Sequence, residues 1–339
     1  MIRDQCPTFW ENEATMQNWI NKLNDNPTAW LLESNPWTNY RTLIDLLELP
    51  ENSSKVFDAK QKLDNDKLVN ELINDADQWF PVNATRHDDS KLAHYKLRML
   101  ADFGFTVKDQ RILQIVEKAM AHRENDLFAI RQTLPLKDTI AGTDEWHALP
   151  CDSTILNYTL IKLGLDNELI AKNIEHIRDK WSTDEGWFCF LPFVNGQHKK
   201  IRIGCPMAGL MALEVFSLVP QLKESIYAHH AYEPLKFHLE YGKSLYYFGR
   251  SKKFWTLKYP FVWYNALYLA DVLSRFEFTK DEPLLKDLIT WIEQMQTEEG
   301  KFKANSMYTN YRNWDFADKK QPSPWITFLC CRILKRFYS

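Results

Sequence analysis

Apolar side chains recur along most of the chain at spacings of three, four and seven residues. This period is typical of helices that bury one stripe of their surface. Only 10 glycines occur among the 339 residues, so few positions are marked as backbone breaks. The pattern predicts an all-α protein.

Six of the predicted helices are apolar on most faces, as expected for helices buried on all sides. Each follows a start signal, which is either a proline suited to the first turn or a polar side chain that accepts hydrogen bonds from free N–H groups. Successive starts are about 53 to 64 residues apart. The starts are Asn35-Pro36-Trp37, Asp88-Asp89-Ser90, Asp152-Ser153-Thr154, Cys205-Pro206-Met207, Tyr259-Pro260 and Pro322-Ser323-Pro324-Trp325.

Amphipathic segments with a charged face alternate with these starts. Regular pairs of one buried and one amphipathic helix indicate a solenoid or a closed ring, and a closed ring has no ends that need capping. We therefore predict a single (α/α)6 toroid domain over residues 1–339, in which residues 1–29 form an N-terminal helical extension or an outer helix. The predicted outer helices lie near 14–23 and around 65–75, 108–122, 167–181, 231–248 and 283–296.

The charge balance argues against one class of partner. The net charge is −3 and the pI is near 6.3, so the chain lacks the basic footprint of a nucleic-acid-binding protein. No run of about 18 apolar residues predicts a membrane span, and the N-terminal residues lack the apolar core of a secretory signal. These features predict a cytoplasmic protein, in which the 6 cysteines are expected to be reduced. They do not specify a protein partner.

Two short turns carry a family signature. Residues 296–302, Gln-Thr-Glu-Glu-Gly-Lys-Phe, fit the Gln-x-x-x-Gly-x-aromatic turn of the squalene cyclase and protein prenyltransferase repeat family. Residues 181–187 resemble the same turn without its glutamine. With its helix pairs, the chain resembles the α/α toroids of that superfamily, and it is most similar to small bacterial prenyltransferase-like proteins of unassigned activity. Other similar stretches are Asn35-Pro36-Trp37, Leu149-Pro150-Cys151, Gly186-Trp187-Phe188-Cys189 and Pro324-Trp325-Ile326-Thr327.

The motifs that carry activity in that superfamily are not reproduced here. Class II terpene cyclases protonate an alkene with an Asp-x-Asp-Asp motif, whereas Asp75-Ala76-Asp77-Gln78 lacks the last acid. Protein prenyltransferases bind zinc with an Asp-x-Cys pair and a distant histidine, whereas Asp152 directly follows Cys151. The resemblance implies a fold with a central cavity, and it names no reaction.

Three cysteines lie beside predicted helix starts or a Gly-Trp turn. Cys151, Cys189 and Cys205 would fall near one end of neighbouring inner helices, where three thiolates can bind zinc together with a fourth ligand. Two alternatives remain open. The thiols can be small apolar fillers in a crowded core, or Cys205 can be a nucleophile whose pKa is lowered at a helix N-terminus.

Acidic residues at two helix starts are candidates for proton transfer. His87, Asp88 and Asp89 precede one inner helix, and Asp152 opens the next. In a toroid the inner-helix starts surround the cavity, so carboxylates from separate helices can act as general acid and base. The alternative is that these acids cap helix N-termini and offset the helix dipole.

Aromatic residues form a third candidate set, placed by the pattern in the first turns of the inner helices. They can line a pocket for an apolar or sugar ligand, or they can pack against one another. The set consists of Trp37, Tyr40, Tyr158, Trp263, Tyr264 and Trp325.

The leading functional hypothesis is a central aromatic and acidic cavity that binds a small apolar molecule. Two alternatives stay open, namely a non-catalytic binding or assembly module and a carbohydrate-active lyase or hydrolase. A cavity filled by side chains would argue against both enzymatic hypotheses.

Overall fold

The computed structural model describes residues 18–85, 88–132, 145–187, 203–240 and 252–339. This part of the chain is mainly helical, which confirms the predicted class. No helix within it combines the length and the apolar character that crossing a bilayer requires. The helices are α1 Thr28–Leu32, α2 Pro36–Arg41, α3 Ser54–Asp64, α4 Lys67–Asp77, α5 Ala93–Phe103, α6 Gln110–Ala121, α7 Pro150–Lys162, α8 Glu168–Lys180, α9 Pro206–Leu218, α10 Pro220–Lys223, α11 Ile226–Glu240, α12 Ala266–Leu273, α13 Pro283–Gln294 and α14 Pro324–Tyr338.

Three of the most buried helices begin where the sequence predicts, with proline in the first turn. At α2, the side chain of Asn35 accepts a hydrogen bond from a main-chain N–H just after Pro36. At α14, the Ser323 hydroxyl accepts a hydrogen bond from the main-chain N–H of Ile326, two residues after Pro324. α9 begins at Pro206 without a side-chain cap. A π-helical turn, Thr42–Leu46, continues α2.

Two other buried helices start away from the predicted residues. α5 begins at Ala93 because Asp89 accepts the N–H of Lys91 within a preceding turn. α7 begins at Pro150, so Asp152 lies inside its first turn and is not its N-cap. The helix start predicted at Asp152-Ser153-Thr154 is therefore wrong, and the alternative that Asp152 caps this helix does not hold.

The remaining buried helix, α12, begins later than predicted. The side chain of Asn265 accepts the N–H of Tyr268 and thereby caps a helix that starts at Ala266. The chain between Pro260 and this cap is irregular. A polar cap, and not the proline, decides where this helix starts.

The amphipathic helices lie close to their predicted ranges, with one addition. A single outer helix was predicted around 65–75, but α3 and α4 both precede α5. They are separate because Asn65 ends α3, and the side chain of Asp66 caps α4 by accepting the N–H of Val69. The predicted helix near 14–23 and the end of the one at 231–248 extend outside the described residues.

The six most buried helices contact one another in a closed order. α2 contacts α5, α5 contacts α7, α7 contacts α9, α9 contacts α12, α12 contacts α14, and α14 contacts α2. We call these six the inner helices. Amphipathic helices pack on them from outside: α4 on α5, α8 on α7, α11 on α9 and α13 on α12, while α6 packs on α4.

Two small antiparallel sheets lie between α6 and α7 and were not predicted. β1 (Arg123–Glu124) pairs with β2 (Leu127–Phe128), and β3 (Ile130–Gln132) pairs with β4 (Glu145–His147). The β1–β2 turn is Asn125-Asp126, with φ values of 50° and 64°. Asparagine and aspartate tolerate this left-handed conformation, which two-residue hairpin turns require.

Aromatic side chains fill the interior between the inner helices. The ring of Trp325 packs against Phe103 and Tyr259, with centroids 5.0 and 5.5 Å away. The ring of Trp37 packs against Phe103 and Trp314 at 5.6 and 4.9 Å. This packing of wide rings explains part of the high aromatic content.

Candidate functional site

Residues singled out from the sequence meet where the inner helices begin. Burial raises the pKa of Tyr264, and the nearby Cys205 thiol and Asp88 carboxylate raise it further. Burial and the same Asp88 carboxylate raise the pKa of Tyr308. Asp88, Cys205 and Tyr264 therefore share one electrostatic neighbourhood, although about 120 residues separate the first two in sequence.

Two further candidates lie in the same region, around the buried Tyr95. Burial raises the pKa of this tyrosine well above its ordinary value, and Asp152 and Cys151 contribute to the shift. Tyr308 acts on it as well, which links the two groups. We call the whole set the N-terminal cluster: Asp88, Tyr95, Cys151, Asp152, Cys205, Lys258, Tyr264 and Tyr308.

Lys258 places an amine in this cluster that the sequence did not reveal. Burial lowers its pKa to about 8, and Lys253 lowers it too, while the Asp88 carboxylate opposes the shift. The Nζ atom lies 3.4 Å from the centroid of the Tyr308 ring. The ring face stabilises the charged amine, and burial favours the neutral one. A fraction of this amine is therefore unprotonated near neutral pH.

Two of the candidates predicted from the sequence, His87 and Cys189, lie outside the described residues. In the ranges that the structure describes, no group of three or more His, Cys, Asp and Glu side chains is arranged to hold a metal ion. Because Cys189 belongs to the predicted set, the zinc site with Cys151 and Cys205 stays a prediction. Asp89 takes part in a local turn with Lys91.

The aromatic candidates divide between the two ends of the inner helices. Trp263 and Tyr264 lie together at the start of α12, with ring centroids 4.8 Å apart. Trp37 and Trp325 are enclosed in the interior by other rings. The prediction that all six occupy first turns is wrong for four of them. Trp263 and Tyr264 precede the Asn265 cap of α12, Tyr40 is the fifth residue of the six-residue α2, and Tyr158 lies past the middle of α7.

Buried polar residues fill the middle of the space between the inner helices. The side chains of Arg98 and Glu214 are 1% and 0% exposed and form an ion pair at 2.5 Å. The Tyr268 hydroxyl donates to Glu214 at 2.5 Å and accepts a hydrogen bond from Arg98 at 3.0 Å. Nearby, Asp102 pairs with Lys162. Sequence reasoning treated these helices as apolar and missed this layer.

At the C-terminal ends of the inner helices lies an arginine cluster, consisting of Arg41, Arg275, Arg332 and Arg336 with Asp45 and Asp271. The buried Asp271 carboxylate lies 2.5 Å from Arg275, 2.8 Å from Arg332 and 3.1 Å from Arg336. Burial alone would raise the pKa of Asp271, but the guanidinium groups of Arg332, Arg275 and Arg336 hold it well below its ordinary value. A single carboxylate thus forms ion pairs with three guanidinium groups.

The second carboxylate of the arginine cluster is Asp45. It lies 2.5 Å from Arg41 and 3.3 Å from Arg332. Burial opposes its ionisation, but these two arginines lower its pKa to about 2. The i,i+4 spacing of Arg41 and Asp45 is visible in the sequence, whereas the contact with Arg332 depends on the packing of α14 against α2.

A cavity of about 530 Å³ opens beside the arginine cluster. Its walls come from the C-terminal ends of α2, α7, α9, α12 and α14 and from residues after α10 and α12. We call it the basic cavity, because its lining includes Arg41, Lys162, Lys223, Arg275, Lys280, Arg332 and Arg336. The Tyr158 and Ser217 hydroxyls accept hydrogen bonds from Arg275 at 3.3 and 3.1 Å.

Comparison with known proteins adds no assignment to either end of the molecule. No protein-family model matches the chain, and no curated protein matches it either.

Proposed function

We propose that the chain is an (α/α)6 toroid of the prenyltransferase-like kind, and that it binds a small apolar molecule at the end where its inner helices begin. One observation carries this proposal. Residues from well-separated segments of the chain meet in the N-terminal cluster, where burial and neighbouring charges shift the pKa values of Tyr95, Lys258, Tyr264 and Tyr308. Perturbed ionisable groups gathered at one place are typical of functional sites.

The closed order of helix contacts supports the toroid, because an open solenoid would leave its first and last helices apart. The signature turn supports it too. Gln296 pairs with Phe302 across this turn, and the Gln296 side chain bonds to the N-terminal segment at Asn24 and Lys22. Gly300 has a φ of 66°, and a Cβ there would overlap a backbone oxygen. The motif residues thus have structural reasons for their positions.

The character of the N-terminal cluster supports a ligand of low charge. A tyrosine phenol is neutral at neutral pH, and burial moves the pKa values of Tyr264 and Tyr308 still further from ionisation. Trp263, adjacent to Tyr264 and half-buried, offers a further aromatic face. Because the Arg98–Glu214 layer fills the space beneath, the proposed ligand sits at this end and does not extend through the centre.

Proton transfer at this site would use Lys258 as the base. An amine with a pKa of about 8 is roughly one-tenth unprotonated at pH 7, which suits a general base better than an ordinary lysine does. The Asp88 carboxylate stabilises the protonated amine after transfer. This assignment modifies the carboxylate pair suggested by the sequence, since it assigns the base to a lysine.

The experiment is a binding titration with farnesol as the apolar probe and cellotriose as the sugar probe. Trp263→Ala removes an aromatic face at the proposed site. Trp255→Ala is its matched control, because Trp255 is also half-buried but packs on Trp291 of an outer helix. We expect wild type and Trp255→Ala to bind farnesol with similar affinity, and Trp263→Ala to bind at least about tenfold more weakly.

Three outcomes would contradict the proposal. These are no binding of farnesol, equal loss of binding in both variants, and binding of cellotriose in place of farnesol. The last result would favour the carbohydrate-active alternative. Both variants should first be shown to unfold cooperatively, so that lost binding is not lost folding.

A further inference from the structure

We propose that the basic cavity is a binding site for a small multivalent oxyanion, a molecule that carries at least two negative charges on phosphoryl or carboxylate groups. This site lies at the opposite end of the inner helices from the N-terminal cluster, and the proposal does not depend on the function assigned there. It rests on the charge, the hydrogen-bonding capacity and the size of the cavity.

The charge of the wall is the first argument. The arginine cluster holds four guanidinium groups and two carboxylates, so it carries an excess of two positive charges. Lys223 adds another cation, which forms no ion pair with any residue in the described ranges, and the Glu224 carboxylate of the lining adds an anion. Glu277 pairs with Lys280 at 3.1 Å, whereas Glu224 accepts only neutral main-chain N–H groups and keeps its charge, so the excess stays at two positive charges.

The state of Arg336 is the second argument. Burial and the neighbouring Arg332 and Arg275 together lower its pKa to about 10, against the opposing effect of Asp271. Its side chain is 30% exposed, so it remains accessible from the cavity. A guanidinium crowded by two others gains when an anion enters, because the anion relieves their repulsion.

Helix dipoles offer a competing explanation for why these cations gather at the C-terminal ends of the inner helices. Each inner helix that ends at the cavity has free carbonyls with partial negative charge, and cations near a helix C-terminus are stabilising. Arg275 and Arg336 each donate a hydrogen bond to the carbonyl oxygen of Asp271, at 3.1 and 3.2 Å. Lys223 is the last residue of α10, which has only four residues, and it belongs to no inner helix, so the dipoles of the inner helices do not account for it.

The hydrogen-bond donors that line the basic cavity indicate which class of ligand it would bind. Guanidinium groups present parallel N–H donors that match the oxygens of a phosphoryl or carboxylate group, and such charge-assisted bonds are the stronger ones. The volume of about 530 Å³ falls in the range of small-molecule sites. An excess of two positive charges favours a multivalent anion over a monovalent one.

The test is isothermal titration of the whole chain at low ionic strength, with inorganic diphosphate and citrate as multivalent probes and acetate as the monovalent one. We expect diphosphate, citrate or both to bind, and acetate to bind at least about tenfold more weakly than the better of them. A preference for diphosphate would identify phosphoryl chemistry, and a preference for citrate would identify polycarboxylates. Added chloride salt should weaken binding.

Three single-charge variants make the test specific to the cavity. Arg336→Gln and Lys223→Gln should each weaken binding of the better probe about tenfold, the loss expected from one charge-assisted contact. Lys319→Gln removes the same charge from an exposed position outside the cavity lining and should leave the affinity unchanged. Lys223 is half-buried and unpaired among the described residues, so its replacement should not affect folding even if Arg336→Gln does.

The proposal is overturned if neither diphosphate nor citrate binds, because the cations then serve only the helix ends. It is also overturned if acetate binds as tightly as the multivalent probes. The same conclusion follows if all three variants bind like the wild type, or if Lys319→Gln weakens binding as much as Lys223→Gln does. Binding of an adventitious ion at the general surface would give either of these last two patterns.

Discussion

Replacing Glu214 with leucine is expected to destabilise the fold strongly, because the change leaves a buried cation without its partner. Arg98 is 1% exposed and has its charge neutralised by Glu214 at 2.5 Å. Breaking a buried ion pair from one side costs about 3–5 kcal/mol. Glu214→Leu should therefore lower the free energy of unfolding by that amount, a large part of the total for a typical domain.

The double variant separates charge from packing. In Arg98→Met with Glu214→Leu, neither charge of this ion pair remains, and the main residual cost is that the Tyr268 hydroxyl loses both of its partners. An unsatisfied buried hydroxyl costs about 1–3 kcal/mol. The double variant should thus be more stable than Glu214→Leu alone, so the two substitutions are strongly non-additive.

Urea unfolding followed by circular dichroism and by fluorescence gives the required free energies, provided that the two transitions coincide. The matched control is the pair Glu168–Lys172, whose side chains are 84% and 53% exposed at a separation of 3.1 Å. Glu168→Gln should cost no more than about 0.5 kcal/mol. The reasoning is refuted if Glu214→Leu costs as little as this control, or if the double variant costs the sum of the two single ones.

The remaining predictions concern a carboxylate, a turn and an amine. Two arginines lower the pKa of Asp45 from 3.8 to about 2, so its ionised form contributes about 2 kcal/mol of stability above pH 4 that is lost as the pH falls towards 2. Asp45→Asn should lose that amount at pH 7 and converge with wild type below pH 2 in acid unfolding; a constant difference would contradict this. Gly300→Ala should cost more than about 2 kcal/mol, because φ is 66° and a Cβ would overlap the backbone of a neighbouring segment. Gly164→Ala, at φ 90° with open space around the Cβ, should cost only about 1 kcal/mol; equal losses in thermal unfolding would exclude the clash. Lys258, dimethylated with ¹³C and followed by NMR, should titrate near pH 8, and Asp88→Asn should shift its midpoint lower; a midpoint near 10 would rule out a desolvated amine.

The sequence predicts the helical architecture well where chemistry at a single position marks a boundary. Proline fixes the starts of α2, α9 and α14, since it needs no N–H partner in the first turn. Proline does not mark the start of α12, because the Asn265 cap, and not Pro260, determines where this helix begins. The hairpin at Asn125-Asp126 carried a readable turn signal, but each strand has only two residues, too few for a period to appear.

The candidate site could be predicted only in part. Helix starts are visible in the sequence, and Asp88, Cys151 and Cys205 do lie at or just before the starts of inner helices, while their role stays a prediction. Lys258 was missed because its pKa depends on burial, which no local pattern reports. The arginine cluster was missed for a related reason: Asp271 and Arg332 lie on different helices, and their pairing follows only from the contact between α12 and α14.

The buried layer of Arg98, Glu214 and Tyr268 also determines how solutes can move. With these side chains at most 1% exposed, the described residues leave no passage past this layer between the N-terminal cluster and the basic cavity. Any molecule that enters at one end must therefore leave by the same end. A substrate and its product would share one entrance there and would compete for it. An anion bound in the basic cavity would therefore influence the N-terminal cluster only by displacing the inner helices slightly.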